Sequence, residues 1–372
     1  MPITRRHFTR AVPALAATAV TPPASAAFTE TAAQTAASSA SAGSLTDVPG
    51  VRVGHATHAD RPTGCTVILF DEPVTAGADY DGSAPGELLG VMLQPVSPLE
   101  RIHGILLTGG GPMGLEAAAG VVAHLEQRGK GYDWGIPNVR IPIVVGAVID
   151  DLSIGDGRIR PGAALAARAC EAAGTGPVAE GNVGVGAGAT VGKMFRSRGM
   201  SGMKGGVGCA SITAGDVVVA ALCVVNAAGD VLDPKAGRIL AGARTADGRS
   251  FVDSVAQLRR DLDTRTRADR RLDDQPFRAT TLTVIATNVA LDKTSLTKLA
   301  MMTNTGAARV IAPYHTNGDG DQVLTVSTGK LRSSVSLTAI GSVAAEAAGL
   351  AIQRGVRMAT GLPNWPAVRD LK

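Results

Sequence analysis

Residues 259–276, RRDLDTRTRADRRLDDQP, carry opposite charges too densely for any protein core. Only Phe277, Arg278 and Ala279 separate them from TTLTVIAT at 280–287. Ions do not leave water without partners, so the first run must meet solvent. The second run predicts a strand, with Leu282, Val284 and Ile285 among β-branched Thr283 and Thr287. Any fold of this chain must therefore lead solvated backbone straight into a buried strand, with Thr280 and Thr281 at the junction.

The core around that strand has little aromatic material. Aromatic residues are 3% of the 372 and glycines number 46, while apolar residues reach 45%. Ala, Val, Leu and Ile must then pack closely on backbone, which favours layered α/β packing over an aromatic-rich β-sandwich. Scarce aromatics also argue against a nucleic-acid binder that stacks bases. Strand-like runs occur at 64–70, 104–110 and 141–150, and near 321–329. Residues 205–229 predict two strands around Gly215-Asp216. Helical periodicity marks 114–129, 294–304 and 336–355. Strands outnumber helices and come in runs, which points to an α+β fold rather than a doubly wound parallel sheet.

The first residues have the three parts of an export signal. Arg5 and Arg6, followed by Phe8, resemble a twin-arginine signal; Ala11–Val20 is apolar but too short to span a bilayer; Ala24-Ser25-Ala26 offers a cleavage site. The expected organisation is a signal at 1–26, a flexible low-complexity leader at 27–44 and one folded domain at 45–372, exported to a periplasmic or extracellular space. No stable membrane anchor is implied. Arg5, Arg6 and Arg10 supply most of the formal charge of +4; without them 33 basic residues face 32 acidic ones, and no patch for polyanions is expected. Cys65, Cys170, Cys209 and Cys223 show no metal spacing and read as small buried thiols, with one disulfide left open.

Two glycine-rich stretches invite cofactor readings. Gly109-x-Gly111-x-x-Gly114 matches a dinucleotide fingerprint, but the sequence about twenty residues on, RGKGYDWGIPN, lacks the second strand ending in an acid. A tight turn and close helix packing explain those glycines better. The stretch EGNVGVGAGATVGK at 180–193 fails the phosphate-loop pattern, because Met194 follows Gly192-Lys193. Its main-chain N–H groups, from Gly181 to Gly184, and the amide of Asn182 instead suggest a surround for a substrate carbonyl oxygen. Taken alone, that segment is better explained as a flexible loop with a satisfied Asn.

A threonine hydroxyl needs a base, and an N-terminal threonine carries one in its own α-amine, whose pKa of about 7.7–8.0 leaves much of it uncharged near neutrality. Cutting the chain before Thr280 would make the solvated run a loose tail and leave the new terminus fixed by the strand. At this point the chain resembles the L-aminopeptidase/D-esterase (DmpA) family of self-cleaving N-terminal-nucleophile hydrolases. The resemblance runs from about residue 45 onward and rests on TDVPGVRVGH, ILLTGGGPMGLEAAAGV, EGNVGVGAGATVGK, MKGGVG, TTLTVIATN and GDGDQVLTVSTG, in family order. It implies a four-layer α/β/β/α sandwich of the DmpA/ornithine-acetyltransferase-like type and fragments 27–279 and 280–372. It further implies a homotetramer of cleaved protomers. The implied activity is hydrolysis from the amino end of small peptides, amides or esters, with no metal, cofactor or nucleic acid. By the same resemblance Thr280 is the nucleophile, Ala279–Thr280 the cleaved bond and Asn182 the oxyanion-stabilising amide. Asp319 and Asp321 orient the free amine, the proton relay or the substrate's ammonium group. On spacing alone, NGDGDQ is equally a surface turn opening a strand. Thr281 is the nearest competitor for the new terminus.

Two positions depart from the family. Ala279 stands where Gly or Asn is usual, and Asp150 where an aromatic is common. Slower cutting and a missing phenolic donor are the expected consequences. Two other readings stay open here: a hydrolase of pantetheine-like or secondary-metabolite amides, and an uncut binding protein on the same scaffold.

Overall fold

The computed structural model describes residues 43–263 and 279–371. The expected export signal, the expected leader up to residue 42 and the charged run from 264 lie outside the described residues. Ser44, placed in the leader, is already buried, and its hydroxyl accepts from Val178 N at 3.0 Å, so the packed body begins slightly earlier than expected.

One mixed sheet organises the chain. Its strands are β1 (Val51–Thr57), β2 (Gly64–Asp79), β3 (Glu87–Leu88), β4 (Arg101–Thr108) and β5 (Val144–Val148). After the short β6 (Thr190–Val191) and β7 (Met203–Lys204) come β8 (Gly206–Ala214) and β9 (Val217–Asn226). A small separate sheet holds β10 (Asp230–Asp233), β11 (Arg238–Ala241) and β13 (Ile311–Ala312). Finally β12 (Thr280–Val289) and β14 (Gln322–Leu331) complete the large sheet, in the order β3-β5-β4-β2-β14-β12-β9-β8 with β1 on β2. The helices are α1 (Ala118–Glu126), α2 (Ala163–Glu171), α3 (Ser254–Asp263), α4 (Lys293–Ala307) and α5 (Leu337–Arg357).

The side-chain clusters show how this sheet becomes two layers. Ile68 of β2, Ile105 and Leu107 of β4 and Val145 of β5 share one core with Leu222 and Val224 of β9 and Leu282 and Val284 of β12. The alternate residues Val67, Leu106 and Val144 pack on Val121 of α1 and Ala166 of α2. On the other side Ala221, Cys223 and Ile285 pack on Leu299 of α4 and Ala348 of α5. The order is helices, half-sheet, half-sheet, helices, as the sequence implied. Strand β2 belongs to both halves: residues 64–70 pair with β1, and 75–79 with β14. Its register on β4 shifts between Leu69 and Val74, which is where Asp71, Glu72 and Pro73 interrupt the apolar pattern. That interruption hid the second half of the strand, since charge and proline ordinarily end one.

Strand β12 is buried along its whole length, paired antiparallel to β9 and parallel to β14. Both faces are covered, so its sequence shows a continuous apolar run rather than alternation. The dinucleotide-like glycines resolve as a turn: Gly110 and Gly111 have φ of 88° and 59°, and the chain enters a 3-10 turn before α1. The four cysteines are buried and unpaired; burial pushes the thiols of Cys65, Cys170 and Cys223 up to about 12.

A buried ion pair fixes the loop after β5. Arg61 donates through Nε to Ile154 O at 2.7 Å, through Nη1 to Ile159 O at 2.8 Å, and through Nη2 to Asp151 Oδ1 at 2.8 Å. Asp151 also accepts from Thr63 Oγ1 at 2.6 Å and from Gly110 N at 2.9 Å. Every strong donor is matched, so removing one partner strands the other. Asp151→Ala is expected to lower stability by about 3–5 kcal/mol in urea denaturation. A loss below about 1 kcal/mol would mean the pair is replaceable.

Candidate active site at the Ala279–Thr280 junction

Thr280 opens β12 with its side chain buried, opposite Asn226 at the end of β9. Its hydroxyl donates to Ala279 O at 2.5 Å, and Gly320 N donates to the same oxygen at 2.8 Å. A Cβ on Gly320 would stand 2.9 Å from Thr280 Oγ1 and 2.6 Å from Ala84 O. Only glycine lets this main-chain donor reach the carbonyl beside the hydroxyl. The arrangement places a nucleophile next to a carbonyl whose oxygen already holds a fixed N–H, as addition to that carbonyl requires.

The two aspartates stand at this junction in unequal roles. Asp321 Oδ1 accepts from Thr281 N at 2.5 Å, and its Oδ2 accepts from His315 N at 3.2 Å. It ties the start of β12 to the loop before β14. Asp319 Oδ2 accepts from Thr316 N at 2.9 Å and from Thr316 Oγ1 at 2.7 Å, while its Oδ1 is buried without a hydrogen-bond partner. Burial, and then the charge of Asp321, push the Asp319 carboxyl up to about 7. Its proton is thereby held more tightly than on an ordinary carboxylate.

Asn182 is not brought to this place. Its amide donates to Thr360 O at 2.8 Å and accepts from Thr360 N at 3.0 Å, beyond the end of α5. Gly181 bridges to Val207 of β8, so β9 and β8 both lie between Asn182 and Thr280. At ordinary strand spacing that is about 14 Å. Gly181, with φ of 79°, packs on Met358 O, and Gly184 on Cys65 and Thr66; neither lines the cavity at the junction. The oxyanion role and the substrate contacts expected of these three residues are corrected accordingly.

The amide across from Thr280 is Asn226, fully buried. Its Oδ1 accepts from Thr190 N at 3.0 Å and from Lys193 Nζ at 2.6 Å, and its Nδ2 donates to Asp150 O at 3.3 Å. Lys193 also donates to Thr190 Oγ1 at 3.3 Å. Burial lowers its ammonium to about 8, opposed by the charges of Asp150 and Asp319. The far end of the glycine-rich stretch therefore does reach the site, through Thr190 and Lys193. The signals for these residues were a lone amide closing VVVAALCVVN and a lone cation in VGKMF. Asp150 caps Leu152 N through its carboxylate at 2.9 Å and faces the cavity.

That cavity holds about 810 Å³. Ala279, Lys193, Asp150 and Thr316 bring the chemistry to its wall, while Leu152, Met194, Leu258 and Pro313 make much of it apolar.

A buried threonine hydroxyl thus stands at the head of an inner strand of an α/β/β/α sandwich, and by sequence the chain is a peptidase. The chain belongs to peptidase family S58, whose profile matches residues 43–365. It is 37% identical over 359 residues to an uncharacterized aminopeptidase of Mycobacterium tuberculosis (strain ATCC 25618 / H37Rv), covering 88% of this chain and 97% of the relative. It is 33% identical over 315 residues to the 6-aminohexanoate-oligomer endohydrolase of Kocuria sp. (strain KY2), covering 81% and 82%. The fold is similar to that of the L-aminopeptidase D-Ala-esterase/amidase from Ochrobactrum anthropi, described as a variant of the Ntn hydrolase fold. The TM-score is 0.59 at 20% identity, over 86% of this chain and 88% of that one.

Proposed function

We propose that this protein is an exported hydrolase that cuts its own backbone before Thr280 and then uses Thr280 to release N-terminal residues from small peptides, amides or esters. The observation that carries the reading is the Ala279 carbonyl, held between the Thr280 hydroxyl at 2.5 Å and the Gly320 N–H at 2.8 Å. Thr280 Oγ adds to the Ala279 carbonyl carbon, and Gly320 N–H supports the oxygen as it gains charge. The bond to the Thr280 nitrogen breaks and that nitrogen takes the hydroxyl's proton. Water then hydrolyses the ester, leaving a carboxylate on Ala279 and a free amine on Thr280.

In the cut enzyme that amine accepts the hydroxyl proton as Thr280 Oγ attacks a substrate carbonyl. The proton passes to the leaving amine, and water clears the acyl group by the same route in reverse. Lys193 and Asn226 supply positive charge and an amide opposite the nucleophile; Asp319 exchanges a proton near neutrality; Asp321 fixes the strand start. The partners follow: a small peptide or amide substrate, and further copies of the cleaved protomer in a tetramer. The twin-arginine-like pattern of Arg5, Arg6 and Phe8 supports a periplasmic or extracellular location.

A second reading has its own support. The likeness to a 6-aminohexanoate-oligomer endohydrolase and the apolar cavity wall favour amides of linear ω-amino acids. A panel of aminoacyl anilides, β-peptides, pantetheine amides and 6-aminohexanoate oligomers separates these readings. Preferred turnover of aminoacyl anilides supports the first; turnover confined to the oligomers supports the second; no turnover of any amide would refute both.

A further inference from the structure

The segment between β2 and β3, DGSAPG at 81–86, alternates in burial: Gly82, Ala84 and Gly86 are buried, Ser83 is exposed and Pro85 is half-buried. It runs past the head of β14 and is tied there at three points. Gly82 N donates to Asp321 O at 3.1 Å, Ala84 N donates to Asp319 O at 2.9 Å, and the buried Gln322 donates through Nε2 to Gly86 O at 3.3 Å. The fit is tight against backbone. A Cβ on Gly82 would stand 2.3 Å from Asp321 N, and one on Gly320 would stand 2.6 Å from Ala84 O.

Neighbouring residues of an extended chain turn their main-chain groups to opposite sides. Holding the carbonyls of Asp319 and Asp321 on this segment therefore turns the N–H of Gly320, between them, the other way. There it meets Ala279 O at 2.8 Å. Ala279 is the acyl side of the bond that Thr280 attacks, so a substrate carbonyl attacked by the same hydroxyl puts its oxygen where Ala279 O lies. We propose that Gly82 and Ala84 are positioning residues, whose N–H groups aim the Gly320 N–H at the acyl oxygen in self-cutting and in substrate turnover alike. This rests on the hydrolase reading above and adds to its turnover step a main-chain oxyanion donor, with the residues that orient it.

Gly82→Ala tests the aim. Ordinary contact begins at 3.4 Å, so the added methyl must part the two backbones. A misplacement of about 1 Å costs on the order of 10²-fold in rate, and kcat should fall by about that factor. KM should change little, because the contact strengthens only as charge develops on the oxygen. A larger share of uncut chain should remain in the same preparation. Val121→Ala, a cavity in the α1–α2 layer, should lower stability and keep kcat. A fall confined to KM, or a kcat within about twofold of wild type in folded Gly82→Ala, overturns the assignment.

Amide hydrogen exchange reads the same aim without turnover. In Thr280→Ala, where the bond between residues 279 and 280 stays whole, the Gly320 N–H should be protected. Adding Gly82→Ala should speed its exchange by about tenfold or more, while the Val224 amide of β9 stays as slow as before. Should wild type hydrolyse no amide, the hydrolase reading fails and this comparison still decides whether the segment aims the donor. Should Gly82→Ala not fold, Pro85→Gly takes its place in both measurements: it adds no atom, frees the backbone of the segment and should give a smaller fall in kcat. Unchanged exchange at Gly320 in the folded variant refutes the positioning role.

Discussion

Thr280→Ala is expected to leave one undivided chain and to abolish amide hydrolysis, a loss of more than about 10³-fold. Both effects follow from one atom. The hydroxyl that would attack the Ala279 carbonyl is the hydroxyl that would attack a substrate, and among the described residues the only other group hydrogen-bonded to that carbonyl oxygen is the Gly320 N–H. Thr281 cannot stand in. Its N–H is held by Asp321 at 2.5 Å, and its hydroxyl is buried without a hydrogen-bond partner. Successive strand residues point to opposite faces, so the hydroxyls of Thr280 and Thr281 do not share a position. Thr280→Ser should still divide and still hydrolyse, while Thr281→Ala should divide at the same bond. Denaturing gels and turnover of an aminoacyl anilide check all three. Division of Thr280→Ala at 279–280 would remove the proposed nucleophile.

Lys193→Met is expected to cut kcat by about 10²–10³-fold, the usual cost of one lost donor around a developing oxyanion. Lys193 Nζ donates to Asn226 Oδ1 at 2.6 Å, fixing which end of that amide faces away from the cation. Without it the Asn226 amide is free to turn, so Asn226→Ala should fall in the same range and the double variant should lose little more. The pH response distinguishes this from general damage. Burial lowers the Lys193 ammonium to about 8, below the ordinary lysine value of 10.5, so the folded state resists charging it. Stability tied to this group is fully present above the ordinary value and lost as pH falls through about 8. Asp319, raised to about 7, works in the opposite sense: its contribution is full below the ordinary carboxylate range and lost as pH rises through about 7. Lys193→Met should remove the first of these from a plot of melting temperature against pH and retain the second. A variant with normal kcat would show that Lys193 only packs.

The strand carrying Thr280 was legible because its chemistry is local: a charged run cannot be buried, and TTLTVIAT has nowhere else to go. Helices α4 and α5 were legible from their periodicity. The second half of β2 was not, since Asp71, Glu72 and Pro73 mimic a strand end while the bend between the two half-sheets needs that break. Helix α2, alanine-rich and short, gave too weak a stripe to stand out against the glycine-rich background.

Within the site, Asp319 and Asp321 were named only through the resemblance in GDGDQVLTVSTG, since spacing alone read as a surface turn; they stand at the head of β14, the parallel neighbour of β12. Asn226 was overlooked because its relation to Thr280 is a matter of antiparallel register, which no single segment displays. Asn182 drew attention through its glycine surroundings, but those glycines serve close packing on α5 and β8. Residue type identified the nucleophile; only the pairing of strands identified the amide that faces it.

The proposed chemistry requires a cut between Ala279 and Thr280. Intact mass of the purified wild-type protein, with Edman degradation of the smaller fragment, answers this directly. Fragments 27–279 and 280–372 are expected, the smaller beginning Thr-Thr-Leu-Thr. A fully active preparation consisting of one unbroken chain would contradict the proposed chemistry.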